Sequence, residues 1–197
     1  MASCEGVKMS KLQCKLSQDD SLIICDDLGK YSEYEEQLWS LFLRTYEYNS
    51  LKFHDIPVRM KHYPPSFSPK TGFYHLTCEN YLHQEEDSRK PNLRRCERLM
   101  WAKTIIESCS DSCASLLVWE NTRHNKPNIV LFCPELDYVV ILSKRSQGYY
   151  LLTTSYPVDH PHRREDLLNE YQRYIKQTAH PVLKPNTLSN APSTRGR

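Results

Sequence analysis

Hydrophobic spacing divides the chain into three helical stretches and a run of strands. Leu38, Leu41, Phe42 and Tyr46 recur at helical intervals behind Ser32 and Glu35, which together read as an S-x-x-E capping box, with Asn49 as a stop. A second helix is predicted from Asn92, an N-cap residue just after Pro91, to about Cys109. Its buried stripe is Cys96, Leu99, Ala102 and Ile106, with Arg94, Arg98 and Trp101 on a neighbouring one. Four strands follow over 115–121, 128–133, 137–143 and 148–156. Their short connections predict an antiparallel meander, and Ser146-Gln147-Gly148 suits a hairpin turn. Tyr138 to Leu142 is continuously apolar and reads as a central strand covered on both faces. Pro157 closes the last strand, and 162–177 reads as a third helix with Leu167, Leu168, Tyr171 and Ile175 turned inward.

The remaining segments are shorter. Leu22 to Ile24 reads as a short edge strand or an anchor within an N-terminal arm, 1–30. Pro57, Pro64, Pro65 and Pro69 forbid a continuous helix over 51–71, leaving a short strand at 56–60 and a loop over 61–71. Gly72 to Thr77 reads as a strand with Phe73, His75 and Thr77 on one side, and 79–91 as a polar loop. From His180 onward Pro, Ser, Thr and Asn dominate, so 179–197 reads as a disordered tail. The expected fold is α+β: two N-terminal helices, a four-stranded antiparallel sheet and a C-terminal helix, with the helices on one face.

Composition narrows the function. No stretch nears 18 apolar residues, so no transmembrane helix is expected, and polar Met1 to Lys15 does not read as a secretory signal. The expected location is cytoplasmic, with no membrane partner. Gly is scarce at 5 residues, and neither GxGxxG nor GxxxxGK[ST] occurs. Eight cysteines show no CxxC pair, and neither Cys109 with Cys113 nor His160 with His162 matches a structural zinc pattern. They read as reduced thiols, several serving as small core hydrophobes, and no metal or cofactor is expected. Net charge is −3 over residues 1–90 and +5 over 91–197, which puts an anionic partner on the second half.

Three clusters bear chemistry. They are His75, the basic run Arg94-Arg95-Cys96-Glu97-Arg98, and Thr153 to Tyr156 at the end of the last strand. Strict alternation sets Tyr150, Leu152, Thr154 and Tyr156 on one side. Cleavage of RNA without a metal needs a base for the ribose 2′-hydroxyl, an acid for the departing 5′-oxygen and positive charge on the phosphorane. A histidine, an arginine pair and a tyrosine supply those groups. Each also has a plainer reading. A lone histidine is commonly an ordinary core or surface residue, an arginine run a solvated helix face, and strand Thr and Tyr a matter of β-propensity.

The stretches GFYHL, NLRRCERLMWAKTIIESC, VWENTR, DYVVIL and YYLLTTSYPVDHPHRREDLLNEY occur in that order over roughly residues 31–178. In this the chain resembles a family of phage- and plasmid-associated bacterial proteins assigned to the barnase–EndoU–colicin–RelE-like nuclease superfamily. R-C-E-R-L-x-W-x-x-x-I-I joined to a distal T-x-Y-P-V is the most specific element. The resemblance implies an RNase-like domain over 31–178 built from two helices and a four-stranded antiparallel sheet. It implies a metal-independent endoribonuclease, often a toxin, that leaves a 2′,3′-cyclic phosphate. Carried over by motif, His75, Arg95, Arg98, Thr154 and Tyr156 are the implied catalytic residues; Arg94, Lys103, Arg123 and Ser155 are expected as RNA contacts beside them. The implied partners are RNA and a cognate antitoxin or immunity protein. The competing reading is a non-catalytic RNA- or protein-binding module on the same scaffold.

Overall fold

The computed structural model describes residues 22–61, 70–79, 90–110, 116–123 and 125–179. The loops expected at 61–71 and 79–91 fall largely outside these residues, as do most of the N-terminal arm and the tail from 180. Helix α1 spans Tyr31–Phe42 and continues through a π-helical turn, Leu43–Glu47. Its apolar face, Leu38, Phe42 and Tyr46, is buried as the spacing predicts. The capping box is not what starts it. A 3-10 turn at Leu28–Lys30, capped by the Asp27 carboxylate accepting from the Gly29 N–H at 2.8 Å, runs straight into α1. Ser32 is therefore already inside the helix. Upstream, Ile23 serves as the anchor: its N–H donates to the Glu97 carbonyl at 2.9 Å and its carbonyl accepts from the Tyr34 hydroxyl at 2.7 Å.

Strands β1 (Lys52–Phe53) and β2 (Ile56–Arg59) form a tight hairpin. His54 and Asp55 at its tip have φ of 47° and 64°, the pair of left-handed residues that a type I′ turn requires. The expected strand over 72–77 is instead helix α2, Thr71–Thr77. Helical spacing puts Phe73, Leu76 and Thr77 into the core together, which alternation would not have done. Gly72 lets α2 lie against the chain end of β2. A Cβ there would stand 3.1 Å from the Lys61 carbonyl oxygen and 3.3 Å from the Met60 Cβ.

Cys78–Glu79 (β3) and Lys90–Pro91 (β4) form a small antiparallel pair that leads to Asn92. Asn92 caps helix α3 as predicted, its side chain accepting from the Arg95 N–H at 3.1 Å. The expected single helix over 92–109 breaks, however. Helix α3 ends at Glu97, and α4 runs Trp101–Ser110. Tyr46 fills the joint. Its hydroxyl donates to the Leu99 carbonyl and accepts from the Lys103 N–H at 3.2 Å, two groups that the broken helix leaves without partners of its own.

Strands β5 (Leu117–Arg123), β6 (Lys126–Cys133), β7 (Tyr138–Arg145) and β8 (Tyr149–Pro157) form the expected antiparallel meander. The sheet is larger than four strands. The β1–β2 hairpin adds to β8 in parallel, giving a six-stranded mixed sheet in the order β1-β2-β8-β7-β6-β5. Helix α5 spans Pro161–Ala179. The helices lie on both faces, contrary to the one-sided arrangement expected. Leu131, Val140, Leu142 and Leu152 pack against the layer of α1 to α4. Trp119, Val130, Phe132 and Val139 pack under α5 through Leu167, Leu168 and Tyr171. Strand β7 therefore reads as apolar throughout because both of its faces are covered. Cys96 and Cys133 are buried in the core, and burial pushes the Cys96 thiol up to about 12. Among the described residues no helix is long and apolar enough to cross a membrane.

One irregularity in β8 decides the site. Ile141 pairs with Thr154 while Leu142 pairs with Leu152, so Thr153 is a β-bulge. The extra residue reverses the alternation. Tyr150 and Leu152 face the α1–α4 layer, whereas Thr154 and Tyr156 sit opposite Ile141 and Val139 on the α5 side. The four residues do not share a face, as a regular strand would have had them do.

Candidate functional site

Strand β2 pairs with β8 only at Tyr150 and Leu151, so the second half of β8 extends past its neighbour. Helices α2 and α3 both pack against β8. The cap at Asn92 fixes the first turn of α3 and brings Arg95 over the end of β8. There the Arg95 guanidinium lies 5.3 Å from the centroid of the Tyr156 ring and donates to the Cys78 carbonyl at 3.0 Å. The chain leaves β8 through Pro157 and Val158 and enters α5 at Pro161. One turn in, Arg163 donates through Nη2 to the Tyr156 hydroxyl at 3.1 Å. The His160 carbonyl accepts from the Arg163 and Arg164 N–H groups, and the His160 and His162 rings stack with centroids 5.4 Å apart.

Glu79, Asn92, Arg95, Tyr156, His160 and Arg163 line one cavity of about 180 Å³. The Asn92 side chain both caps α3 and donates to Glu79 Oε2 at 3.0 Å, so the carboxylate is held in place from the same residue that positions Arg95. Chemically the cavity offers two guanidinium groups, a phenol, an imidazole and two carboxylates, Glu79 and Asp159, the second of them paired with Arg94. That set can bind a phosphate and move protons on either side of it. Among the described residues no group of three His, Cys, Asp or Glu side chains is arranged to hold a metal ion.

Arg95 and Tyr156 are thus brought together as the sequence suggested, and the other expected residues lie elsewhere. Arg94 pairs with Asp159 at 2.6 Å, and this pair separates the first cavity from a second of about 400 Å³ that Arg94 and Arg98 help to line. Thr154 is half-buried on the same face of β8 as Tyr156 but lines neither cavity. His75 stands on α2 with its Nε2 2.8 Å from Lys61 Nζ and also lines neither. Ser155 is only 1% exposed, and its hydroxyl meets that of Tyr138 at 3.0 Å, so it offers no surface to RNA. Burial pushes that Tyr138 phenol up to about 12, against the Ser155 hydrogen bond and the charges of Arg95 and Arg98. Lys103 is paired with Glu107 on α4, and Arg123 reaches Glu170 at 3.4 Å at the far end of β5.

Sequence reasoning missed Glu79, Asn92 as a second anchor, His160 and Arg163. The signal for the last two was present in Pro157-Val158-Asp159-His160-Pro161-His162-Arg163-Arg164, which follows Tyr156 directly. A strand end that feeds at once into a helix brings the residues of its junction back beside the strand's last side chains. No protein-family model, curated protein or solved structure matches the chain.

Proposed function

We propose that the chain is a metal-independent endoribonuclease acting in the cavity around Tyr156. The observation that carries this reading is the Tyr156 phenol held between two guanidinium groups, Arg95 over its ring and Arg163 at its hydroxyl, with Glu79 and His160 in the same cavity. Arg95 and Arg163 bind the scissile phosphate and stabilise the charge that builds on its oxygens. The Glu79 carboxylate takes the proton of the ribose 2′-hydroxyl, which attacks the phosphorus. His160 gives a proton to the departing 5′-oxygen. Tyr156 accepts from Arg163 and still has its own O–H to donate to a phosphate oxygen. The products are a 2′,3′-cyclic phosphate and a 5′-hydroxyl. His160 is thus the histidine of these steps, and His75, the one the resemblance implied, has no part in them.

Purified protein incubated with total RNA in excess EDTA tests this. Discrete fragments with cyclic phosphate ends, absent with Arg95→Ala, are the expected result. Intact RNA, or fragments bearing 5′-phosphates, would overturn it. Intact RNA that the folded protein nonetheless retains on a filter would identify a binding module.

A further inference from the structure

The second cavity, across the Arg94–Asp159 pair, is unused by the chemistry above. It holds about 400 Å³ and shares Val158 and Asp159 with the first, so it lies immediately beside the phosphate-binding groups. One of its walls is Arg98. That guanidinium is fixed from several directions: Nη1 donates to the Arg94 carbonyl and to Glu97 Oε2, each at 3.0 Å, and the group lies 5.1 Å from the centroid of the Trp101 ring. Its side chain is 16% exposed, and the cavity is what it borders. A guanidinium immobilised in this way gives a flat cationic plate on which an unstacked nucleobase rests without first having to order the side chain.

The turn between β6 and β7 contributes two carboxylates to the same cavity, Glu135 and Asp137. Asp137 has a φ of 47° and accepts from Arg164 Nε at 2.7 Å, which holds that end of the turn to α5. Carboxylates only accept, and each has lone pairs for more than one donor. They therefore favour a ligand that presents N–H groups at its edge. A phosphate would meet repulsion from both.

We infer that this cavity receives the nucleobase next to the scissile phosphate, stacked on Arg98 and selected by its exocyclic amine through Glu135 and Asp137. The inference rests on the ribonuclease reading for its orientation. Adenine, cytosine and guanine carry such an amine and uracil does not. Cytosine against uracil is the sharpest comparison, because the rings match in size and the uracil carbonyl sets an acceptor where the cytosine amine sets a donor.

The test uses the full chain and non-cleavable 2′-O-methyl tetranucleotides that differ only in C or U beside the central phosphate, read by fluorescence anisotropy. The expected preference for C is about 10-fold, the effect of one charge-assisted hydrogen bond. Glu135→Gln is expected to lose most of that preference, because the amide accepts more weakly from the cytosine amine and can donate to the uracil carbonyl. Arg98→Ala is expected to weaken both probes by about 10-fold, as loss of a stacking partner does. Melting curves establish that each variant is folded. Cleavage of total RNA in EDTA is measured beside these experiments. Cleavage with no C-over-U preference, or a preference that survives Glu135→Gln, overturns the base subsite and leaves the ribonuclease reading standing. A preference without cleavage does the reverse. Failure of the folded protein to bind either probe overturns both.

Discussion

The Arg95 guanidinium lies over the Tyr156 ring, 5.3 Å from its centroid, although 61 positions of sequence separate residue 95 from residue 156 and they come from different layers of the fold. The contact exists because Asn92 caps α3 at the point where β8 outruns its parallel neighbour. Removing either partner should strike the phosphate site without loosening the core. Arg95→Ala is expected to lower kcat/KM on RNA by about 10²-fold or more, the effect of deleting one group that stabilises transition-state charge. Tyr156→Phe is expected to lower kcat with little change in melting temperature. Steady-state kinetics on a defined oligoribonucleotide measures both.

The two histidines should separate cleanly. His160 lines the cavity with Tyr156, whereas His75 lies against Lys61 outside it. His160→Ala is expected to cost about 10²-fold in kcat, as loss of a general acid does. His75→Ala is expected to leave kcat unchanged. A reversed pair of results would restore the role that the sequence motif gave to His75.

Glu170 pins α5 to the sheet. Its carboxylate accepts from Trp119 Nε1 at 3.0 Å, from Asn121 Nδ2 and from Arg123. Burial pushes this carboxyl up, but the hydrogen bonds from Asn121 and Trp119 and the charges of Arg123 and Arg163 outweigh burial and hold it below the usual carboxylate range. A carboxyl lowered by folding stabilises the protein at any pH above its unfolded value, about 4.3, and that contribution fades as pH falls through the folded value. Glu170→Ala is therefore expected to cost about 1–3 kcal/mol at pH 7. The gap from wild type should narrow below about pH 4, as urea unfolding at pH 7 and at pH 3 will show.

Tyr46 should matter for stability out of proportion to its single hydroxyl. Burial pushes its phenol far above the ordinary value, so it remains a neutral donor at any working pH. Tyr46→Phe leaves the Leu99 carbonyl and the Lys103 N–H unpaired at a buried joint. A loss of about 1–3 kcal/mol is expected by urea unfolding, with kcat kept.

What could be read from the sequence was what local spacing records. The four-strand meander, the two-sided burial of Tyr138 to Leu142, the stripe Cys96-Leu99-Ala102-Ile106 and the cap at Asn92 each follow from neighbours a few positions apart. What escaped depends on distant partners. Gly72 to Thr77 alternates like a strand, yet it folds as a helix that seats Gly72 closely on Met60 and Lys61 and buries Phe73, Leu76 and Thr77 together. The helix from Asn92 has an unbroken periodic pattern, and the break at its Arg98 end is held by a tyrosine from α1's π-turn. The parallel pairing of β2 with β8 has no local signature at all. For the site, the Arg95–Tyr156 half was visible as motif chemistry. The half made by Glu79, His160 and Arg163 depends on how the chain turns after Pro157.

Thr153 makes β8 a strand with a phase boundary. Before it, even-numbered positions point into the core of α1 to α4; beyond it, odd-numbered Ser155 does, and even-numbered Tyr156 borders the cavity. A saturation scan of the strand would show this as a reversal of rhythm. Intolerance to charge would fall on Tyr150 and Leu152, skip a beat at Thr153 and resume at Ser155. Deleting Thr153 would bring the two rhythms into step without moving Tyr156: Leu152 and Thr154, already opposite Leu142 and Ile141, would become neighbours, and the phenol would keep its place opposite Val139, where both arginines meet it.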